Sequence, residues 1–337
     1  MDYTQYFSDP ELKKEFLDRF EEIRDAVAAT GGLESVGSAE AVLDVDRASA
    51  AVERMAEGTW RGDDSGVEAI VRRFGRPVYL VRQGTFAAFA DAPDGVPESE
   101  VVAARMEAAR PRLEGVIPSV GRIDLRNHRD SWTGTGWMVA EGLAVTNRHV
   151  ARSFAHRQGG GFAYRTVSGR RIRAEIDWYR EYQRPEESRF RVTEVVWIEP
   201  DESLYDVALL RIAPSGEDGE PRPAPIPLAD DGDPVVGRWV GVIGYPGSIE
   251  ESAEDDCQRI FDGIYERKRL APGRVTAVQR DGWVHHDATT LGGNSGSAVV
   301  DLVTGRALAL HFAGWPGERN YAVRARDVAR LVREHAS

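Results

Sequence analysis

Beyond about residue 117 the chain breaks into short apolar runs, among them GWMVA, GLAVTN, RIRAEIDWY, RFRVTEVVWIEP, DVALLRIA, RWVGVIGY, GRVTAVQR, GSAVVDL, RALALHFAG and NYAVRA, separated by Gly, Pro, Asp and Asn. This pattern limits the fold more than any other feature. Runs so short suit strands rather than amphipathic helices. Regular alternation of strand and helix is missing, which argues against a parallel α/β sheet. Many short strands with recurrent turns predict an all-β sandwich or barrel.

Upstream the period differs. ELKKEFLDRFEEIRDAVAA places Leu12, Phe16, Phe20, Ile23 and Val27 at three- and four-residue steps, predicting an amphipathic helix. A second helix is predicted in AEAVLDVDRASAAVERMAEG and a third in GVEAIVRRFG. RPVYLVRQGTFAAF suits one or two strands, ADAPDGVPE a linker, and ESEVVAARMEAARPRLEGV a helix broken or kinked at Pro111. A short amphipathic helix closes the sequence, with Val328, Leu331 and Val332 on one side. The expected organisation is a helical or mixed region over 1–112, regulatory or partner-binding, followed by a second domain over 113–337.

Bulk properties narrow the function. The 337 residues carry a formal net charge of −12, which disfavours a role in gripping nucleic acid. Cys257 is the one cysteine, so no intrachain disulfide forms, in keeping with a reducing compartment. The polar start MDYTQYFSDPELKKEF lacks the apolar core of a signal peptide, and no apolar run approaches a membrane span. A cytoplasmic protein without a membrane partner is expected. The acidic stretch IEESAEDD over 249–256 reads as a solvated loop.

Three segments of the β-rich part carry reactive side chains: TNRHVA with His149, YDVALLRI with Asp206, and GGNSGSAVV with Ser295. A serine hydroxyl is a poor nucleophile until an imidazole takes its proton, and a carboxylate fixes the tautomer of that imidazole. The glycines let the loop aim the Gly293 and Ser295 N–H groups at a developing oxyanion. An α/β-hydrolase would place serine first in G-x-S-x-G before a helix; here Ser297 stands at the final glycine position and a strand follows. The order His, Asp, Ser among strands is that of the two-barrel serine proteases.

On these residues the chain from about 117 to 337 resembles the trypsin/chymotrypsin-like serine protease family. Its bacterial glutamyl-endopeptidase-like and HtrA-like branch is the nearer likeness, with GVIGYPGS (241–248) and RLAPGRV (269–275) as further similar segments. The resemblance implies a mostly β fold, a double six-stranded antiparallel β-barrel, behind the N-terminal helical or α+β region. It also implies a serine endopeptidase acting on proteins or peptides without metal or organic cofactor. His149 would be general base, Asp206 its orienting acid, Ser295 the nucleophile, and the Gly293 and Ser295 amides the oxyanion hole. Asn294 replaces the aspartate with which digestive relatives pair a newly cut N-terminus. Control is therefore expected through the N-terminal region or a regulatory partner.

The resemblance places the specificity pocket between DATTLGG and ALHFAG, hence Thr290, His311, Phe312, Ala313 and Gly314. A hydroxyl and an imidazole can replace the hydration of a carboxylate, which suits an acidic side chain; a small or apolar one is the other reading. No acidic residue stands at the expected pocket base, so cleavage after Lys or Arg is not expected. His285, His286 and Asp287 read as strand-end residues lining the cleft rather than a metal site. A protease fold without turnover, used as an interaction or regulatory module, is the alternative.

Overall fold

The computed structural model describes residues 7, 9–22, 45–60, 77–87, 99–232, 234–247, 261, 263–314 and 319–335. The helix expected at 66–75, the linker at 90–98, the acidic loop at 249–256, Cys257, Ile23 and Val27 lie outside them.

Helix α1 (Pro10–Asp18) starts where Asp9 caps it, its carboxylate accepting from the amides of Glu11 and Leu12, and it buries Leu12 and Phe16. Helix α2 spans Val45–Ala56. The strand-like stretch that follows is a hairpin of β1 (Tyr79–Arg82) and β2 (Thr85–Ala87). Its two turn residues, Gln83 and Gly84, both have positive φ (50° and 76°), the backbone a tight hairpin of this twist requires. Helix α3 (Glu100–Val116) is capped by Ser99 and buries Val102, Met106, Ala109, Leu113 and Val116 at helical spacing. It runs on through Pro111, where a break or kink was expected, and it carries the chain across residue 112.

The first barrel uses β3 (Val120–Arg126), β4 (Trp132–Ala140) and β5 (Leu143–Thr146). Helix α4 (Arg148–Phe154) follows, then two small hairpins: β6 (Ala155–Gln158) with β7 (Gly161–Tyr164), and β8 (Thr166–Val167) with β9 (Arg170–Arg171). Strands β10 (Arg173–Asp177), β11 (Arg189–Ile198) and β12 (Ala208–Ile212) close the ring β10-β11-β12-β5-β4-β3.

The second barrel comprises β13 (Trp239–Gly244), β14 (Arg269–Val278), β15 (Trp283–His286), β16 (Ala298–Asp301), β17 (Ala307–Gly314) and β18 (Asn320–Arg324). They run in the order β13-β16-β17-β18-β15-β14, and β14 closes the ring on β13 from Trp239↔Arg274 to Gly244↔Arg269. The fold is thus two closed six-stranded antiparallel barrels with N-terminal helices. Hairpin strand β1 is added at the start of β14, in the register Tyr79↔Leu270 and Leu80↔Arg269.

Each barrel has its own core: Ile123, Met138, Phe190 and Leu210 in the first, Val242, Val275, Val299 and Ala322 in the second. A third cluster lies across the seams. Phe16, Val52, Val81, Phe86, Met106 and Leu113 meet Trp137 and Leu209 of the first barrel, Ile243 and Val300 of the second, and Leu331 of the closing helix α5 (Ala325–His335). His335 of α5 stacks on Trp197 of β11 at 3.8 Å, the two rings nearly parallel. Among the described residues no helix is long and apolar enough to cross a membrane.

Candidate active site

His149 stands in the first turn of α4, three residues after β5 ends at Thr146. Asp206 precedes β12, which pairs with β5 through Ala208↔Thr146, and this register sets the two side by side. One carboxylate serves His149 twice: Oδ1 accepts its backbone N–H at 3.0 Å, and Oδ2 lies 2.6 Å from Nδ1. Such a grip fixes the ring's position and favours the tautomer with the proton on Nδ1, leaving Nε2 to accept. Asn147 secures the other side, its Nδ2 donating to the Asp206 carbonyl at 2.9 Å. The imidazole is half exposed (51%) while the carboxylate is mostly covered (15%), so the ring is held from behind and open in front.

Ser295 lies in the turn before β16, between Gly293 and Gly296, whose φ angles are +89° and +91°. A side chain at Gly293 would also press on the Tyr245 carbonyl at 2.6 Å. Glycine is required here for both reasons. The turn's amides divide into two sets. Asn294 N–H donates to the Leu291 carbonyl (3.1 Å), Gly296 N–H to that of His311 (2.9 Å) and Ser297 N–H to that of Asn294 (2.9 Å). The Gly293 and Ser295 amides donate to no acceptor among the described residues. Asn294 is buried, and its Oδ1 accepts from the Ser297 hydroxyl at 3.3 Å.

The first barrel grips this turn through Gly134 and Thr135 of β4. A Cβ on Gly134 would lie 2.8 Å from a Val150 methyl, beside His149, and 3.0 Å from the Ser295 carbonyl. The histidine helix and the serine turn therefore close on the same glycine. Thr135, fully buried, donates its backbone N–H to the Ser295 carbonyl (2.9 Å) and its hydroxyl to the Gly293 carbonyl (3.0 Å). The same hydroxyl accepts the Tyr245 amide at 3.2 Å, and the Thr146 hydroxyl holds the Thr135 carbonyl at 2.7 Å.

The expected pocket residues gather near β17. His311 is buried, and its Nδ1 lies 3.1 Å from Nε2 of the equally buried His286. Burial, with a smaller push from His285, takes His286 down to about 3. Burial and then the neighbouring His286 and His149 hold His311 well below the usual imidazole range. Both rings are neutral near neutrality. Thr290 donates its hydroxyl to Asn320 Oδ1 at 2.5 Å, and the Asn320 amide is spent on the carbonyls of His286 (3.2 Å) and Ala288 (2.8 Å). Gly314 leaves room for Asn320, because a Cβ there would overlap its side-chain oxygen. Phe312 packs against Trp283 (5.5 Å) and Tyr321 (6.2 Å), and Ala313 is half-buried.

The triplet read as strand-end residues diverges. His285 packs edge-on to Tyr321 at 4.7 Å, His286 sits behind His311 instead of lining the cleft, and Asp287 accepts the Arg274 amide at 2.6 Å. Among the described residues no three His, Cys, Asp or Glu side chains converge as metal ligands would. Thr135 and Asn320 are the residues that sequence reading missed, while His286, named there as lining the cleft, is a buried partner of His311. A signal existed for Thr135, a hydroxyl residue between two glycines in TGTGW.

The family model described as a trypsin-like peptidase domain matches residues 134–310. A probable serine protease of Lysobacter enzymogenes is 31% identical over 287 residues, covering 76% of this chain and 72% of that protein. The chain belongs to the trypsin-like peptidase family. It is a serine peptidase. Solved structures resembling this trypsin-like peptidase include a serine endoprotease from Yersinia pestis, 19% identical, with 68% of this chain and 65% of that one covered and a TM-score of 0.45. A Mycobacterium tuberculosis protein, a serine-to-alanine mutant in an inactive form, is also 19% identical, covers 67% of this chain and 92% of its own, and has a TM-score of 0.43.

Proposed function

We propose that this chain is a serine endopeptidase in which Ser295 attacks the peptide carbonyl, His149 takes the serine proton and returns it to the leaving amine, and Asp206 orients His149. The observation that carries this reading is the double hold of Asp206 on His149, through the backbone amide and Nδ1 together. It leaves Nε2 as the working nitrogen on the open side of the ring. The idle amides of Gly293 and Ser295 are donors left for an oxyanion, each worth roughly 2.7–4 kcal/mol of barrier. Water then hydrolyses the acyl-enzyme. A fluorophosphonate probe tests the assignment: it labels the native chain and not Ser295→Ala. Failure to label the native chain under any condition favours the interaction module instead.

An acidic side chain before the scissile bond is the specificity the pocket favours. The His286–His311 bond has two protonation patterns. When His286 donates, His311 keeps its proton on Nε2, and the orphaned atom, His286 Nδ1, is only an acceptor. The reverse buries an unpaired N–H, which is the dearer arrangement. The first pattern presents a neutral N–H donor to a carboxylate, and the Thr290 hydroxyl joins it by turning from Asn320. A peptide library checks this: cleavage chiefly after Glu or Asp is expected, and cleavage chiefly after Leu, Phe or Ala replaces it with the apolar reading. Residues 1–112 would supply control, acting on the barrels through their shared cluster.

A further inference from the structure

The first barrel carries a second surface with chemistry of its own. Arg170, Arg171, Arg173 and Arg191 line an open groove of about 600 Å³ between the β8–β9 hairpin, β10 and β11. All four are exposed, and none forms an ion pair among the described residues. The neighbouring acids are already engaged: Glu175 with Arg126 at 3.2 Å and Glu194 with Arg211 at 3.0 Å. Four uncompensated guanidinium groups on one groove stand out in a chain whose net charge is −12. The groove also has a non-polar floor, because Tyr164 lies under the Arg171 guanidinium at 4.8 Å and Ile172 and Val192 complete the wall.

We infer that this groove binds an acidic polypeptide segment, as an exosite on protein substrates or partners that is separate from the serine turn. Guanidinium forks match carboxylates in a planar, two-bond geometry, and the apolar floor suits the methylenes of glutamate side chains. Overall charge decides against a long nucleic acid. At physiological salt the screening length is roughly 8 Å, so a short acidic segment responds to the four arginines, whereas an extended polyanion also meets the acidic remainder of the surface. The assignment goes beyond the proposed catalysis and does not depend on it.

The test uses the full chain as Ser295→Ala, so that the probe survives, and measures binding of fluorescein-labelled hexaglutamate by anisotropy. Binding is expected, weakening as salt is raised. In the background of that variant, Arg170→Glu with Arg173→Glu weakens it about tenfold or more, as loss of two charged hydrogen-bond donors implies. Arg330→Glu with Arg333→Glu on α5, an equal change of charge, leaves binding nearly unchanged. Melting curves establish that both variants are folded. Equal losses in the two variants, or no binding at all, overturn the proposal. Tighter binding of a hexathymidylate than of hexaglutamate overturns the peptide assignment in favour of nucleic acid.

Discussion

Thr135 shows how much of the site hangs on one side chain that takes no part in bond-making. Its amide and hydroxyl hold the carbonyls of Ser295 and Gly293, the residues whose N–H groups are idle. A peptide unit is planar, so these two bonds fix the units that end in the Asn294 and Gly296 amides, and the Ser295 N–H is held between them. Thr135→Val keeps the shape and removes the hydroxyl. The expected outcome is a fall in kcat of roughly tenfold to a hundredfold with KM little changed, the signature of a misaimed site rather than lost binding. Thr135→Ser should restore most of the rate, and equal kcat in native and Val forms would remove Thr135 from the positioning role. The buried imidazoles make a prediction about pH. His286 titrates near 3 when folded and near 6.5 when unfolded, so between those values the unfolded chain binds more protons and stability falls with the pH. His286 alone removes roughly 1–2 kcal/mol between pH 6.5 and pH 5, and His311 adds loss of the same sign. Urea unfolding across that range should show a shallower slope in His286→Gln than in the native chain.

Elements were legible in the sequence where their signal is local. β5, β12 and β16 each read as a short apolar run bounded by turn residues, and the reactive side chains sit at their ends, so the candidate triad could be picked out by order alone. What could not be read is held by contacts between distant residues. Thr135 and Gly293 are 158 positions apart, His286 and His311 are 25 apart, and nothing in RPVYLVRQGTF announces a partner nearly two hundred residues on in β14. Pro111 misled for a related reason: propensity disfavours it, but the apolar face of α3 on either side is buried and the packing prevails. The join between hairpin and barrels has its own ionic pin. Lys268, fully buried, donates to the carbonyls of Ile117 (3.1 Å) and Trp178 (2.7 Å) and pairs with Glu181 at 3.3 Å. Glu181 in turn accepts the Gly84 amide of the hairpin at 2.9 Å. Burial takes this lysine down to about 8, against the pull of Glu181. Lys268→Met leaves a buried carboxylate with less compensation and two carbonyls unpaired, so a loss of about 3 kcal/mol or more is expected. Denaturant titration measures it, and a loss under 1 kcal/mol would show that Arg184, which pairs with Glu181 at 3.0 Å, and the Gly84 amide satisfy that carboxylate unaided.

At the scale of the molecule, the decisive fact is that the seams are filled rather than bare. Phe16, Val52, Met55, Val81 and Phe86 from the first ninety residues are buried in the cluster that also holds Trp137, Leu209, Ile243 and Val300. Burying one such side chain contributes roughly 1.5–3 kcal/mol, so several together rival the whole net stability of an ordinary domain, about 5–15 kcal/mol. Any signal that loosened these residues would reach both barrels, and with them His149 on one side of the cleft and Ser295 on the other. A chain beginning at residue 99 therefore loses more than a regulatory appendage. It uncovers the face of α3 that packs against α1 and β2 and strips β1 from the start of β14. We expect that fragment to melt well below the full chain, to bind a hydrophobic dye, and to label poorly with a fluorophosphonate. Adding residues 1–98 in trans should recover part of both stability and labelling. A fragment that melts with the full chain and labels at the same rate would show that the barrels stand alone, and that the N-terminal residues serve some purpose other than holding the cleft together.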